Sequence, residues 1–207
     1  MAHLALRDKR IKPTVPKGVV KPWPVVTKKD TDAVTRALTS GQIWGDGPQV
    51  EALASEWADY CGVKYCDPLS GGTQALHACI MASGAGPGDE VILPAFSFHS
   101  TASAVLHQNA VPVFVDIDPA TYTIDPSKAE AAINDRTRAI IAVHIWGLPA
   151  DMAPLRRIAR KHKLLLIEDA CQAHGAEYRG KKAGALAIAR PSASTGRRTC
   201  PAERAGF

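Results

Sequence analysis

Four short runs of almost unbroken apolar character punctuate the middle of this chain: Glu90 to Pro94, Val111 to Ile117, Ala139 to Ile145 and Leu164 to Ile167. A strand covered on one face alternates apolar and polar residues. A strand apolar at successive positions is covered on both, which is the pattern of a parallel sheet sandwiched by helices. Between the runs lie Ser97 to Gln108, Pro126 to Asn134 and Asp151 to His162, each long enough for a crossover helix, so the order reads β-α-β-α-β-α-β. The pattern predicts an α/β fold, a mostly parallel, doubly wound sheet flanked by helices. Two further helices are expected upstream. Thr27 stands three residues before Asp30 as in a capping box, with Val34, Ala37 and Leu38 on one face before Gly41. Pro48 suits a first helical position, and Val50, Leu53, Ala54, Trp57, Ala58 and Cys61 follow at helical spacing.

The ends read differently from the middle. Residues 1–26 carry Pro13, Pro16, Pro22 and Pro24 among lysines and valines, an extended arm rather than core. Residues 187–207 hold Arg190, Arg197, Arg198 and Arg204 against Glu203, a net +3 within a whole-chain charge of +5. The expected organisation is therefore an arm over 1–26, a folded portion over 27–186 and an aberrant tail over 187–207. Because the basic excess sits in that tail and not on a basic helix or aromatic-basic stripe, nucleic acid is discounted as a partner. Of the 207 residues 46% are hydrophobic and 22% charged, and no stretch approaches the roughly 20 apolar residues of a membrane span. Five scattered cysteines (Cys61, Cys66, Cys79, Cys171 and Cys200) and an N-terminus lacking an apolar leader point to a reduced, cytoplasmic setting.

Ligands of open α/β sheets bind beyond the carboxyl ends of the strands, so polar residues just after the apolar runs are the candidate site. Ser70-Gly71-Gly72-Thr73-Gln74 leads into a helix whose first amides could hold a phosphate; the alternative is a glycine turn with Thr73 as a helix cap. Glu168-Asp169 follows a strand that should be buried. A buried carboxylate needs a partner, so Asp169 is expected either to meet a cation or protonated nitrogen in a cleft or to cap a following helix. Cys171 with His174 forms a possible thiol and base pair. Phe96 and Phe98 follow the first strand, where aromatic rings ordinarily serve core packing.

Taken together these segments resemble the fold-type I, pyridoxal-phosphate-dependent DegT/DnrJ/EryC1/StrS family of sugar aminotransferases. The resemblance runs in order through Ser40-Gly41-Gln42-Ile43-Trp44-Gly45-Asp46-Gly47-Pro48, the Ser70 to Leu76 loop, Gly86 to Pro94, Val111 to Asp118, and Ile167-Glu168-Asp169-Ala170 with Gln172-Ala173-His174-Gly175. It implies part of a cofactor-binding large domain in which Gly72 and Thr73 hold the phosphate of pyridoxal 5′-phosphate and Phe98 stacks on its ring. It further implies that Asp169 pairs with the pyridinium nitrogen and Gln172 contacts the ring hydroxyl. The implied reaction is amino transfer from glutamate to a nucleotide-linked keto-sugar, by a homodimer.

In the family a Schiff-base lysine follows a Gly-Asp and an apolar Phe-Ser-Phe segment, whereas here nothing after Gly184-Ala185-Leu186 matches and no lysine follows Lys182. Lys181 and Lys182 fall about fifteen residues too early. One allowed set of codons for residues 187–206, read after insertion of a single G, gives Gly-Asp-Cys-Ala-Ala-Phe-Ser-Phe-Asn-Gly-Ser-Lys, the family's missing motif. The expectation is thus a frameshifted, truncated chain with no catalytic lysine and no transaminase activity. The other readings are a related sugar dehydratase, disfavoured because no histidine follows His174, and a non-catalytic α/β binding fragment.

Overall fold

The computed structural model describes residues 24–187. Most of the expected arm and all but one residue of the expected tail lie outside them. The chain divides into two compact units, one ending at Gly47 and one beginning at Pro48. In the first, helix α1 (Lys28–Ser40) starts as its sequence requires: Asp30 Oδ2 accepts from the Thr27 backbone N–H and from its hydroxyl, both at 2.7 Å. Gly41 ends it with φ of 70°, the left-handed value that glycine adopts without penalty. None of its residues is buried.

The second unit contains helices α2 (Pro48–Cys61), α3 (Gly72–Ser83), α4 (His99–His107), α5 (Pro126–Ala131) and α6 (Met152–Lys161). Strands β1 (Glu90–Pro94), β2 (Val111–Val115), β3 (Thr137–Val143) and β4 (Leu165–Asp169) form one sheet in the order β2-β1-β3-β4. Every pair is parallel. A small antiparallel hairpin, β5 (Glu177–Tyr178) with β6 (Lys181–Lys182), follows. The hairpin has no counterpart in the sequence reading, because two-residue strands are too short to show a period.

Alternation along the strands makes the three layers. Val91 and Leu93 of β1, Ala139, Ile141 and Val143 of β3 and Ile167 of β4 pack with Leu76, Ile80, Ala104 and Val105 of α3 and α4. Their neighbours Ile92, Ile140, Ala142 and Leu166 face the other way, against Ala129 of α5 and Met152, Leu155 and Ile158 of α6. Each fully buried Leu or Ile contributes roughly 1.5–3 kcal/mol of transfer free energy. Strand β2 departs from the expectation of burial on both faces: Val111 and Phe114 are 48% and 56% exposed, since β2 is an edge strand that the described residues cover less than β4 at the other edge. Pro112 is tolerated there because an edge strand can spare a donor.

Two polar knots hold the sheet. At its amino-terminal end Glu90 accepts from Asn134 Nδ2 at 2.7 Å and from Arg136 Nε at 2.8 Å, joining β1 to the loop before β3. Near its carboxyl-terminal end Glu168, 1% exposed, collects four donors. Oε2 takes the Gly184 N–H at 2.8 Å and His144 Nε2 at 3.0 Å; Oε1 takes the N–H groups of Leu186 at 2.6 Å and Ala187 at 2.5 Å. His144 is fully buried, and its Nδ1 accepts the Ala150 N–H at 3.1 Å, so the ring is neutral with its proton on Nε2.

Two outcomes follow. The hydrogen bonds from Asn134 and then Arg136 hold the Glu90 carboxyl below its ordinary value of 4.5. A depressed folded-state value stabilises above the unfolded value, so stability falls as pH drops below about 4.5 toward the folded one. Glu90→Gln should flatten that part of the urea-midpoint-against-pH curve. Glu168→Gln should cost about 3 kcal/mol in urea unfolding at pH 7, because either orientation of the amide sets its NH2 against two donors in a buried site.

Candidate active site

Glu168 and Asp169 are adjacent, and the period of two along a strand sends them to opposite faces. Glu168 shares the face of Leu166 and meets residues 184–187. Asp169 shares the face of Ile167, next to Val143 in register on β3, and lines a cavity of about 160 Å³ at the carboxyl ends of the strands. Its Oδ2 accepts from the Thr101 hydroxyl at 2.9 Å, and Thr101 Oγ1 in turn lies 2.6 Å from Ser97 Oγ. Its Oδ1 accepts the Cys171 N–H at 3.3 Å, which closes a two-residue turn. No helix follows Asp169, so the helix-cap alternative for this residue does not hold.

Two helix N-termini border the same cavity. α3 begins at Gly72, with Gly71 as N-cap and no side chain capping it. α4 begins at His99 after Phe98, also without a side-chain cap. Thr73 does not cap α3 as the alternative reading had it; its hydroxyl donates to Ser100 Oγ at 2.9 Å and joins the first turns of the two helices. Uncapped first-turn amides and the positive ends of two helix dipoles therefore lie together, an environment suited to an anion.

Of the residues named from sequence, Gly72, Phe98, Asp169 and Gln172 line the cavity directly, and Thr73 borders it through Ser100. Phe98 is 54% exposed, so it is not a core aromatic. Gln172 is exposed and its Oε1 accepts the Trp146 N–H at 3.3 Å. His174 stacks edge-on against Trp57 of α2, with ring centroids 5.9 Å apart. Lys182 lies in β6, its Nζ 3.2 Å from Glu177 Oε1 and 4.6 Å from the centre of the Tyr60 ring. The Glu177 hydrogen bond raises its pKa, so it holds its proton and makes a poor nucleophile.

Sequence reasoning overlooked Thr101, Ser100 and His144. Thr101 and Ser100 are ordinary helix residues by pattern. Nothing local marks His144 as the partner of a carboxylate 24 positions away. The donor set fits pyridoxal phosphate: an oriented carboxylate for a protonated ring nitrogen, an open aromatic face, and paired helix starts for a phosphate.

The chain matches the family model of the DegT/DnrJ/EryC1/StrS aminotransferase family over residues 24–193. It is 46% identical over 178 residues to an L-glutamine:2-deoxy-scyllo-inosose aminotransferase of Streptomyces lividus, covering 82% of this chain and 42% of that protein. It is 44% identical to a GDP-perosamine synthase of Caulobacter vibrioides, covering 79% and 44%. The crystal structure of NtdA from Bacillus subtilis with its cofactor PMP bound superposes with a TM-score of 0.70 at 40% identity, covering 75% of this chain and 36% of that one. The chain thus spans about two fifths of the length of the curated relatives it matches. In the described residues no helix is long and apolar enough to cross a membrane. An all-parallel sheet, paired helix starts, a carboxylate in the cleft and a match over most of the chain agree: this chain belongs to the DegT/DnrJ/EryC1/StrS aminotransferase family.

Proposed function

We propose that residues 27–186 are the cofactor-binding portion of a pyridoxal-phosphate-dependent aminotransferase. The reaction is transfer of an amino group from glutamate or glutamine to the ring carbonyl of a polyhydroxylated six-membered ring. The observation that carries this reading is the buried Asp169 carboxylate, held by Thr101 and the Cys171 N–H at the rim of a cavity framed by two helix N-termini. The ring ketone widens the nucleotide-linked keto-sugar expected from sequence. One relative is named for a free cyclitol and another for a nucleotide sugar.

In this reading the first amides of α3 at Gly72 and Thr73, with the Thr73 and Ser100 hydroxyls, bind the cofactor phosphate. Phe98 covers one face of the pyridine ring. Asp169 accepts the proton-bearing ring nitrogen, and Gln172, steadied by the Trp146 N–H, meets the ring hydroxyl. The bound cofactor supplies an electron sink for the substrate carbon, and a carboxylate that keeps the ring nitrogen protonated strengthens it. Leu76 and Val143 add apolar lining to the cavity that would exclude water from the bound cofactor. Glu168 holds residues 184–187, the stretch leading to the position at which the family carries its lysine. The 207-residue sequence has no lysine after Lys182, and residues 188–207 lie outside the described ones. We therefore assign transamination to a protein in which this portion is joined to such a lysine, and weak reversible cofactor binding to this chain. Homodimers and a cytoplasmic location belong to the same proposal.

Titration of the purified chain with pyridoxal phosphate, followed by absorbance, should show weak saturable binding. Asp169→Asn should weaken it about tenfold, equivalent to roughly 1.4 kcal/mol. Borohydride treatment followed by mass spectrometry should leave only scattered partial labelling of exposed lysines and no stoichiometric adduct at any one of them. Absence of saturable binding would sink the cofactor assignment, and a stoichiometric reduced adduct at Lys181 or Lys182 would sink the claim that the chain lacks a catalytic lysine.

A further inference from the structure

Three aromatic rings stand together on the carboxyl-terminal side of the sheet, outside the cavity. Phe96 follows β1, Tyr122 lies in the loop after β2, and Trp146 follows β3. The ring centroids are 6.1 Å apart for Phe96 and Tyr122, 5.6 Å for Phe96 and Trp146, and 5.9 Å for Tyr122 and Trp146. None is core: they are 39%, 49% and 73% exposed in chain order.

The backbone under two of them is strained. Tyr122 has φ of 58° and Trp146 has φ of 48°. Among the described residues the other non-glycine positions with positive φ are Asn109, Lys163 and Arg179, ordinary polar turn residues. Trp146 and Gly147 (φ 87°) are the two central residues of a turn closed by reciprocal bonds between Ile145 and Leu148, at 3.1 and 2.8 Å. Two successive positive φ angles make the primed type of turn, where asparagine, aspartate or glycine is at home and tryptophan is not. Strain of this kind persists where function requires it. Turn hydrogen bonds and the contacts among the three rings hold these conformations, yet neither ring is buried by the described residues.

The wall is continuous with the proposed cofactor site. Phe96, Ser97 and Phe98 run from wall to cavity, and the Trp146 N–H holds Gln172 at the cavity edge. Centroids about 6 Å apart put the three rings in mutual contact, one continuous aromatic surface broad enough to carry a six-membered ring. In a scyllo-configured cyclitol every hydroxyl is equatorial, so both faces present C–H bonds and the rim presents oxygens. C–H bonds seat well on the electron-rich faces of aromatic rings, and Ser97, next to Phe96 in the chain and lining the cavity, is the polar group nearest in sequence to the wall. We infer that Phe96, Tyr122 and Trp146 form the wall against which the substrate ring lies, its carbonyl turned toward the cavity. This deepens the aminotransferase reading and rests on it.

The test uses scyllo-inosose as probe, with saturation-transfer NMR on the 207-residue chain and two variants, Trp146→Asn and Tyr122→Asn. Transfer to the probe's C–H protons is expected from the parent chain and should fall at least tenfold in both variants. Their urea midpoints should stay or rise as the positive-φ strain is relieved, and Tyr122→Asn should bind pyridoxal phosphate like the parent. Undiminished transfer in both variants, or no transfer from a parent chain that binds pyridoxal phosphate, overturns the wall while leaving the cofactor reading intact. A marked fall in both midpoints overturns it in favour of a structural role. A parent dimer that both variants convert to monomer in sedimentation overturns it in favour of an interface between copies of this chain. Loss of cofactor binding with probe transfer retained would instead overturn the cofactor reading and support the wall.

Discussion

One buried carboxylate ties the layers of this molecule together. Glu168 lies in the last strand of the main sheet, removed from water, and is satisfied by four donors from three places: His144 after β3, Gly184, and the pair Leu186 and Ala187. Charge in such a place is tolerated because every strong acceptor position is used. The consequence reaches beyond the strand. His144 can serve Glu168 because its other nitrogen accepts from Ala150, which fixes the approach of α6. Residues 184–187, after the β5–β6 hairpin, are held against the sheet by their own backbone amides.

Asp169 depends on this arrangement. The same pleat that turns Glu168 toward the returning chain turns Asp169 toward α3 and α4, so the structural and the cavity-facing carboxylates come from consecutive residues. Thr101 and Ser97 hold one oxygen of Asp169 through a chain of hydroxyls, while Ser100, the residue before Thr101, accepts separately from Thr73. Two consecutive residues of α4 thus reach the carboxylate that would face a ring nitrogen and the helix start that would face a phosphate.

Much of this was legible in the order of residues. The four apolar runs became four parallel strands, though β4 extends through Glu168 and Asp169, so the two carboxylates lie within the strand and not after it. The helices begin or end within two or three residues of their expected limits, because capping residues and proline at first positions are local signals. Gly72, Phe98, Asp169 and Gln172 were named from motif and do line one cavity. Residues whose importance lies in long-range contact were not visible. His144, Ser100 and Thr101 carry no periodic or compositional mark, Phe96 read as a packing aromatic, and nothing in the sequence singled out Trp146.

The sequence by itself determined the layer order, the parallel sheet and the edge at which a ligand would bind, because hydrophobic period and turn chemistry act over a few residues. Tertiary structure decided the rest. The opposite facing of Glu168 and Asp169 needs the strand to be formed, the neutral His144 needs Ala150 beside it, and the strained exposure of Tyr122 and Trp146 appears only when separate loops converge at one sheet edge. These features belong to distances in space between residues far apart in sequence, and no local pattern encodes them.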